Sequence, residues 1–301
     1  MGAKIESTDG RAPLKVHGSS KLTPITYKLP IASAQVKSAI LFAGLNANGR
    51  TTVIETSPSR DHTERLFNGF GVPVQTHDDL SVVIDGPAQL TGGRIAIPGD
   101  VSSAAYFVAL AMLLPGSDVT IERVGLNPTR AAFLDVLRSW GAEISVTDVQ
   151  SERNEPFGTI HVRGGINREA GEAERTLSGA QIPALIDELP LLAVVGSQIE
   201  GGIQIRDAAE LRLKESDRLA TTALNLRAMG AKVEESEDGL FVSGPVRLRG
   251  ATVDSHSDHR IAMAFSVAAL LAEGETEIAG SECVAISFPE FYTLLDSLAV
   301  R

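Results

Sequence analysis

The apolar and polar positions of this chain repeat one short pattern four times, at residues 1–5, 70–74, 140–144 and 229–233. Each copy has a bulky apolar residue, then Gly, a small apolar residue, a variable residue and a β-branched residue. The pattern predicts a helix that ends on a core side chain, a Gly in the left-handed conformation, and then a strand.

Matching elements precede each of the later copies. Helices rich in small residues are predicted at 32–45, 102–114, 186–197 and 258–272. Each leads into a short alternating strand, at 51–55, 118–122, 203–207 and 275–279. Second helices follow at 61–70, 129–140, 216–229 and 290–298, and then two further strands, such as 72–75 and 81–84. This series predicts an α/β fold built from repeated β-α-β-α-β-β units.

Helices such as 104–114 carry apolar side chains on nearly every face, which predicts that they are buried between sheets. An inner layer of helices sheathed by strands satisfies this pattern. Residues 1–5 look like the closing element of a unit whose helix is absent. We therefore expect a chain that begins inside a repeat; an independent start at Met1 is the alternative.

Composition narrows the class of protein. The chain has 301 residues, enough for two domains, and a net charge of −11 without a basic stripe, which argues against a nucleic-acid partner. The single cysteine, Cys283, and the lack of a Cys/His cluster with zinc spacing predict a metal-free protein of a reducing compartment, the cytoplasm. The sequence has no run of 18 apolar residues, which would predict a membrane span. It also has neither a Walker A motif nor a Gly-x-Gly-x-x-Gly motif, which would predict nucleotide chemistry.

Polar residues gather at the predicted helix starts, where free backbone N–H groups and the helix dipole favour anions. They include Ser33 and Gln35, the segments 59–62 and 257–260, Asp187, and the segment 214–218. If these starts converge, they form an anion-binding cleft.

The segment 214–218 has four charged side chains in five residues. On a helix that begins here, Lys214 and Arg218 are four residues apart and share a face, so the two cations could hold one anion. The alternative is a solvated first turn with ion pairs among its own Lys, Glu, Asp and Arg side chains.

Asp187 lies between apolar residues on both sides. A carboxylate in such surroundings tends to have a raised pKa and can act as a general base near neutral pH. The alternative is a helix cap with Glu188 in water.

Five motifs in register resemble the 5-enolpyruvylshikimate-3-phosphate synthase family: LPIASAQVKSA at 29–39, SRDHTE at 59–64, IDELP at 186–190, LRLKESDRL at 211–219 and DHRIAM at 258–263. The order also matches, as does the ending SFPEF at 287–291, so the resemblance covers essentially the whole chain. It implies an inside-out α/β barrel fold in two domains, here residues 1–96, incomplete, and 97–301.

The resemblance implies transfer of the enolpyruvyl group of phosphoenolpyruvate to the 5-hydroxyl of shikimate 3-phosphate, with release of phosphate, on the route to chorismate and aromatic amino acids. It implies no cofactor and no metal, small-molecule substrates as partners, and a monomer. By position, it assigns shikimate 3-phosphate contacts to Ser33, Ala34, Gln35, Arg60, Asp187 and Lys214, and phosphoenolpyruvate contacts to Gln35, Lys214, Arg218 and Arg260. Asp187 resembles the base that accepts the hydroxyl proton, Glu215 the acid that protonates the methylene carbon, and Lys214 a catalytic bridge between the substrates.

The chain departs from the family pattern in two places. Ile286 occupies a position where some members have Lys, which fits a subtype that carries Arg60. The family's N-terminal third has no counterpart here, so we expect the chain itself to be poorly active or inactive. Two rival hypotheses are a UDP-N-acetylglucosamine enolpyruvyl transferase, which shares the fold and the donor, and a non-catalytic truncated repeat scaffold.

Overall fold

The computed structural model describes residues 1–19, 21–166 and 175–298. The strands are β1 (Lys4–Thr8), β2 (Arg11–His17), β3 (Thr26–Lys28), β4 (Gly49–Ile54), β5 (Val74–Thr76), β6 (Ser81–Gly86), β7 (Asp118–Gly125), β8 (Ala142–Glu152), β9 (Glu155–Ile166), β10 (Thr176–Leu177), β11 (Ile203–Ile205), β12 (Val233–Glu235), β13 (Leu240–Val242), β14 (Thr252–Asp254) and β15 (Glu277–Ala279). The helices are α1 (Ala34–Gly44), α2 (His62–Gly69), α3 (Val101–Leu113), α4 (Ala132–Ser139), α5 (Ile182–Leu185), α6 (Leu189–Gly196), α7 (Arg218–Ala228), α8 (His259–Leu271) and α9 (Phe291–Leu298). Short 3-10 helices lie at Gly179–Gln181, Ala209–Leu213 and Ser281–Ile286.

The chain divides into two compact units. Unit 1 comprises Met1–Ile97 and Gln150–Pro156, and unit 2 comprises Pro98–Val149 and Phe157–Arg301. Each unit has its own hydrophobic core, the first around Leu41, Phe67 and Ile84 and the second around the helices α3, α6 and α8.

The β-α-β-α-β-β repeat is confirmed by the sheet topology. In unit 1 the strand order is β3-β4-β6-β5, and in unit 2 an equivalent sheet has the order β10-β11-β13-β12. In both sheets the first pair is parallel and the other pairs are antiparallel. The sheet β7-β9-β8 follows the same scheme, with the isolated parallel bridge between Gly99 and Val124 in place of a first strand. The parallel pair β14-β15, connected through α8, begins a further copy.

The four Gly residues of the repeated sequence pattern have the left-handed conformation that the pattern predicts. The angle φ is +83° at Gly2, +87° at Gly71, +95° at Gly141 and +92° at Gly230. Because a side chain at positive φ is strained, these positions favour glycine.

The inner helices of unit 2 pack against one another and are sheathed by sheets, as the all-round apolar pattern predicts. Every residue of α6 is buried, and so is most of α3 and α8. In unit 1 the equivalent helix α1 differs, because its Val36 and Phe42 side chains are exposed.

Glycine also recurs where the last strand of a β-α-β-α-β-β repeat passes the end of the inner helix of that repeat. A Cβ atom on Gly86, Gly164 or Gly244 would overlap with backbone oxygen atoms of Gly44, Leu114 or Gly196, respectively. The close approach of two backbones therefore requires glycine at each of these positions.

The predicted inner helix 186–197 is wrong at its start. The chain forms α5, breaks at residues 186–188, bends by 107°, and resumes as α6 with Glu188 as N-cap. Pro190 explains the position of the new start, since proline is tolerated in the first turn of a helix but not in its interior. The break brings Asp187 and Glu188 out of regular helix geometry. In the described ranges no single helix is long and apolar enough to cross a bilayer; the bent pair of Gly179–Leu185 and Leu189–Gly196 reaches that criterion only jointly.

Candidate active site

Arg218 is the centre of an ionic network in unit 2. It is the first residue of α7, which begins there because the Asp217 side chain accepts a hydrogen bond from the backbone N–H of Ala220. Only 1% of the Arg218 side chain is exposed, although an arginine is seldom buried without partners. Its Nη2 donates to Glu215 Oε2 at 2.6 Å, and its Nη1 lies 3.5 Å from Asp187 Oδ1.

Asp258 holds the other side of the Arg218 guanidinium. Arg218 Nε donates to Asp258 Oδ2 at 2.8 Å, and Nη2 donates to Oδ1 at 3.2 Å. Asp258 is also the N-cap of α8, since it accepts from the backbone N–H of Arg260, and it accepts from Ser216 Oγ. Burial alone would raise the pKa of Asp258, but the hydrogen bond and charge of Arg218 outweigh it and hold the pKa below its ordinary value.

Asp187 contacts two guanidinium groups. Its Oδ1 faces Arg218, and its Oδ2 lies 3.3 Å from Arg260 Nη2. The backbone oxygen of Asp187 accepts from Arg260 Nη1 at 3.2 Å. The apolar neighbours in the sequence do not reveal these contacts, because both arginines arrive from distant helices. The arrangement places the carboxylate where two cations would also meet an anionic ligand.

Glu188 is buried rather than in water, which contradicts the alternative reading of Asp187 as a cap beside a solvated Glu. Its Oε1 lies 3.5 Å from Arg260 Nη1, and it also shares a hydrogen bond with Ser102. Burial raises the pKa of Glu188 to about 7, against the opposing effects of Arg260, the Ser102 hydrogen bond and Arg130. The apolar residues that flank Asp187 also flank Glu188, but the local sequence does not show the contacts with Ser102 and Arg260 that accompany its burial.

A further chain of contacts leads from Ser102 to Arg130, and sequence reasoning missed both as parts of the network. Arg130 Nη2 donates to Ser102 Oγ at 2.6 Å and to Asp100 Oδ1 at 2.9 Å. Asp100 is also the N-cap of α3.

Lys214 does not share a helix face with Arg218, so that expectation is wrong. Lys214 precedes the helix in extended conformation, because Asp217 sets the helix start. Its Nζ forms an ion pair with Glu210 and not with the carboxylates around Arg218. The segment 214–218 thus combines both earlier interpretations. Arg218 is buried among carboxylates, including its neighbour Glu215, whereas Lys214 is half-buried and pairs with Glu210.

In unit 1, the expected ligand contacts lie at two helix starts. Ser33 is the N-cap of α1 and accepts from the backbone N–H of Val36, which leaves Ala34 and Gln35 in the first turn. Arg60 lies in the segment between β4 and α2. First-turn N–H groups and a guanidinium are each suited to a phosphate or carboxylate.

A buried triad joins these two parts of unit 1. Lys37, on α1, has Nζ 3.0 Å from Glu55 Oε2 and 2.6 Å from Glu64 Oε1. Glu55 Oε1 accepts from Ser59 Oγ at 2.5 Å, next to Arg60. Burial raises the pKa of Glu64, although Lys37 opposes this effect. The triad therefore ties the start of α1 to the segment that carries Arg60.

In the part of the chain that the structure describes, no group of three or more His, Cys, Asp and Glu side chains is placed to hold a metal ion. Asp187, Glu215, Arg218 and Arg260 come together in unit 2, and Ser33, Ala34, Gln35 and Arg60 lie in unit 1. In such an arrangement the guanidinium groups can bind an anion, and the carboxylates can accept or donate a proton.

The sequence model of EPSP synthase (3-phosphoshikimate 1-carboxyvinyltransferase) matches residues 1–295. The 3-phosphoshikimate 1-carboxyvinyltransferase of Koribacter versatilis is 50% identical over 301 residues, with 100% of this chain and 69% of the relative covered. That of Synechococcus elongatus is 48% identical over 301 residues, with 99% and 66% covered. The EPSP synthase structure from Acinetobacter baumannii has a TM-score of 0.87 and 40% identity, and covers 99% of this chain and 68% of its own.

The fold, the network and these similarities define an α/β transferase of the enolpyruvyl type. The chain belongs to the EPSP synthase (3-phosphoshikimate 1-carboxyvinyltransferase) family. It spans about two thirds of the length of the curated relatives that it matches, between 66% and 69% in these two cases.

Proposed function

We propose that this chain binds shikimate 3-phosphate and phosphoenolpyruvate and supplies the acid, base and cations of the enolpyruvyl transfer between them. The observation that carries the proposal is the contact of Asp187 with both Arg218 and Arg260, next to Glu215. Two guanidinium groups provide hydrogen bonds and charge for a carboxylate or phosphate, and two carboxylates provide sites for a proton.

In this proposal, Asp187 accepts the proton of the 5-hydroxyl while that oxygen forms a bond to the central carbon of phosphoenolpyruvate. Glu215 donates a proton to the methylene carbon, which becomes a methyl group in a tetrahedral intermediate. Glu215 then removes a proton from that methyl group and the bond to the phosphate oxygen breaks. Phosphate leaves with the proton that Asp187 took from the hydroxyl, so both carboxylates return to their starting states. Arg218 and Arg260 hold the negative charge of phosphoenolpyruvate through both steps.

Lys214 has to change partner to bridge the substrates. Its Nζ is paired with Glu210, whose side chain is 54% exposed. Exposed ion pairs of this kind contribute little to stability, so an anionic substrate can replace Glu210 at small cost.

In unit 1, the proposal assigns shikimate 3-phosphate to Ser33, Ala34, Gln35 and Arg60, and Gln35 also to phosphoenolpyruvate. It is supported by the first-turn N–H groups of α1 and by the Lys37 triad beside Arg60. The proposal also includes a cytoplasmic, monomeric protein whose two units are the two domains of the family fold; sedimentation at several concentrations tests the monomer.

The direct test measures phosphate release by this chain with both substrates, and the binding of each substrate by calorimetry. Arg260→Lys keeps the charge but loses the planar two-nitrogen contact, so we expect phosphoenolpyruvate to bind about tenfold more weakly with shikimate 3-phosphate binding unchanged. Arg163→Lys, at an exposed pair in unit 2, is the matched control.

The same assay separates the rivals. Binding of phosphoenolpyruvate with UDP-N-acetylglucosamine as the preferred acceptor would favour the sister enzyme. Absence of binding for both substrates would contradict the proposal.

A further inference from the structure

Glu188 is a buried carboxylate that the proposed mechanism does not use. Its side chain is only 3% exposed, and its Oε1 lies 3.5 Å from Arg260 Nη1. The same Nη1 donates to the backbone oxygen of Asp187, and Nη2 lies against Asp187 Oδ2. Glu188 therefore helps to set the position of the guanidinium that the proposal assigns to phosphoenolpyruvate.

Charged and titratable groups face Glu188 from each neighbouring element. Arg260 approaches from α8, Tyr106 and Ser102 from α3, and Arg130 from the segment before α4, while Asp187 precedes Glu188 in the chain. Asp100, Arg218, Asp258, Glu215 and His259 lie further along the same network.

Among the described residues, the network contains more carboxylates than guanidinium groups. Its carboxylates are those of Asp100, Asp187, Glu188, Glu215 and Asp258, and its guanidinium groups are those of Arg130, Arg218 and Arg260. An anion that binds Arg218 and Arg260 therefore adds negative charge to a region where carboxylates already outnumber cations. Repulsion between like charges in a buried region is costly unless a proton neutralises one of them.

Glu188 is the carboxylate best placed to take that proton. The contact between Glu188 and Arg260 is long, so an anion can replace Glu188 at this guanidinium. Glu188 is then a buried carboxylate that has lost part of the stabilisation by a neighbouring positive charge. Asp258, by contrast, keeps a short two-contact pair with Arg218.

We propose that Glu188 is a positioning residue for Arg260. When the anionic substrate binds, it replaces Glu188 at the Arg260 guanidinium, and Glu188 takes up a proton. The inference rests on the proposed function for the identity of the anion. The pKa of Glu188, raised by burial to about 7, allows the group to gain a proton near neutral pH.

The test is calorimetry of the full chain with phosphoenolpyruvate in two buffers of different ionisation enthalpy, which measures proton uptake directly. For the wild type we expect uptake of up to one proton at about pH 8 and little at about pH 6, where Glu188 is already protonated. The affinity then falls with rising pH above about 7, by up to tenfold per pH unit. Ionisation of the phosphoryl group near pH 6 contributes equally to all variants.

Two variants locate the proton. Glu188→Gln mimics the protonated side chain, so phosphoenolpyruvate binding loses this proton uptake and keeps its affinity at high pH. Ser102→Ala removes a hydrogen bond that favours the charged form, so the fall in affinity moves to higher pH, a change that a merely structural role would not produce. Glu143→Gln, an exposed carboxylate of unit 2 that pairs with Arg163, should behave as the wild type.

The outcomes separate the two proposals. Wild-type binding without proton uptake, or equal uptake in the wild type and Glu188→Gln, would overturn the role of Glu188 and leave the proposed function intact. Absence of any phosphoenolpyruvate binding by the wild type would overturn both. If Glu188→Gln fails to fold, an unchanged pH profile in Ser102→Ala overturns the role of Glu188.

Discussion

Arg218 and Asp258 form a two-contact ion pair in which both side chains are shielded from solvent, with 1% and 0% exposed. The pair joins the first residue of α7 to the N-cap of α8. It thereby fixes two helix starts relative to each other, one carrying Arg218 and the other Arg260.

The first prediction concerns this pair. Asp258→Asn keeps a side chain that can cap α8 but removes the charge opposite a buried guanidinium, so we expect the free energy of unfolding to fall by about 3–5 kcal/mol. Urea denaturation monitored by circular dichroism measures the change. Asp118→Asn, at an exposed pair with Arg163, provides the control and should leave the curve in place. Equal stability of Asp258→Asn and the wild type would show that the pair does not stabilise the fold.

The second prediction concerns the Lys37 triad in unit 1. Lys37→Met preserves the apolar stem but leaves Glu55 and Glu64 buried without their cation, and removal of one member of a buried ion pair costs about 3–5 kcal/mol. We expect a lower midpoint in urea denaturation, which should recover partly in Lys37→Met/Glu64→Gln.

A matched control for the triad is Lys4→Met, because Lys4 is an exposed lysine paired with Glu6 in the same unit. Loss of stability of the same size in Lys4→Met would mean that burial of the triad is not the cause.

The third prediction uses the close approach of two backbones at Gly244. A methyl group there would overlap with the backbone oxygens of Gly196 and Ile199, neither of which can move aside as a flexible side chain could. Gly244→Ala should therefore lower the free energy of unfolding by about 1–3 kcal/mol or more. Gly92→Ala, where a Cβ meets nothing within 4 Å, is the control in thermal unfolding. If both substitutions shift the melting temperature alike, the close approach is not the reason for glycine at 244.

The fourth prediction concerns pH. Folding raises the pKa of Glu188 from its ordinary value of 4.5 to about 7. For a raised pKa, the contribution to stability is complete below the unfolded-state pKa and is lost as pH rises towards the folded-state pKa. A shift of this size corresponds to about 3 kcal/mol.

Glu188→Gln has no proton to lose, so its stability relative to the wild type should improve by about 3 kcal/mol between about pH 4.5 and pH 7. Urea titrations at a series of pH values, with Glu143→Gln alongside, measure this. Parallel stability curves for the wild type and Glu188→Gln would argue against a raised pKa.

Much of the fold follows from local sequence. The glycines at 71, 141 and 230 mark helix ends because positive φ is a local requirement, and the alternating strands and apolar helices between them reveal the repeated unit. The start of α6 differs from the predicted one because the apolar residues on either side of Asp187 and Glu188 have no periodicity that separates one continuous helix from two, and only Pro190 marks the new start.

The site was harder to predict because its contacts join distant parts of the chain. Arg218 and Asp258 are 40 residues apart, and Arg260 reaches back 73 residues to Asp187. The motifs predicted a set of site residues, but not that Arg218 turns inward while Lys214 pairs with Glu210, since that depends on where Asp217 starts the helix. The same holds for Glu188, whose burial results from packing against α3 and α8.

The separate cores of the two units have a consequence for local opening. The core of unit 1 is small and α1 exposes Val36 and Phe42, whereas the core of unit 2 encloses its inner helices. Amide hydrogens of α1 should therefore exchange with solvent through low-energy openings, and those of α6 only when unit 2 unfolds as a whole. Ser33, Ala34 and Gln35 would then lie at the start of the helix that opens more easily. A bound ligand would therefore stabilise α1 against local opening more than it would stabilise α6.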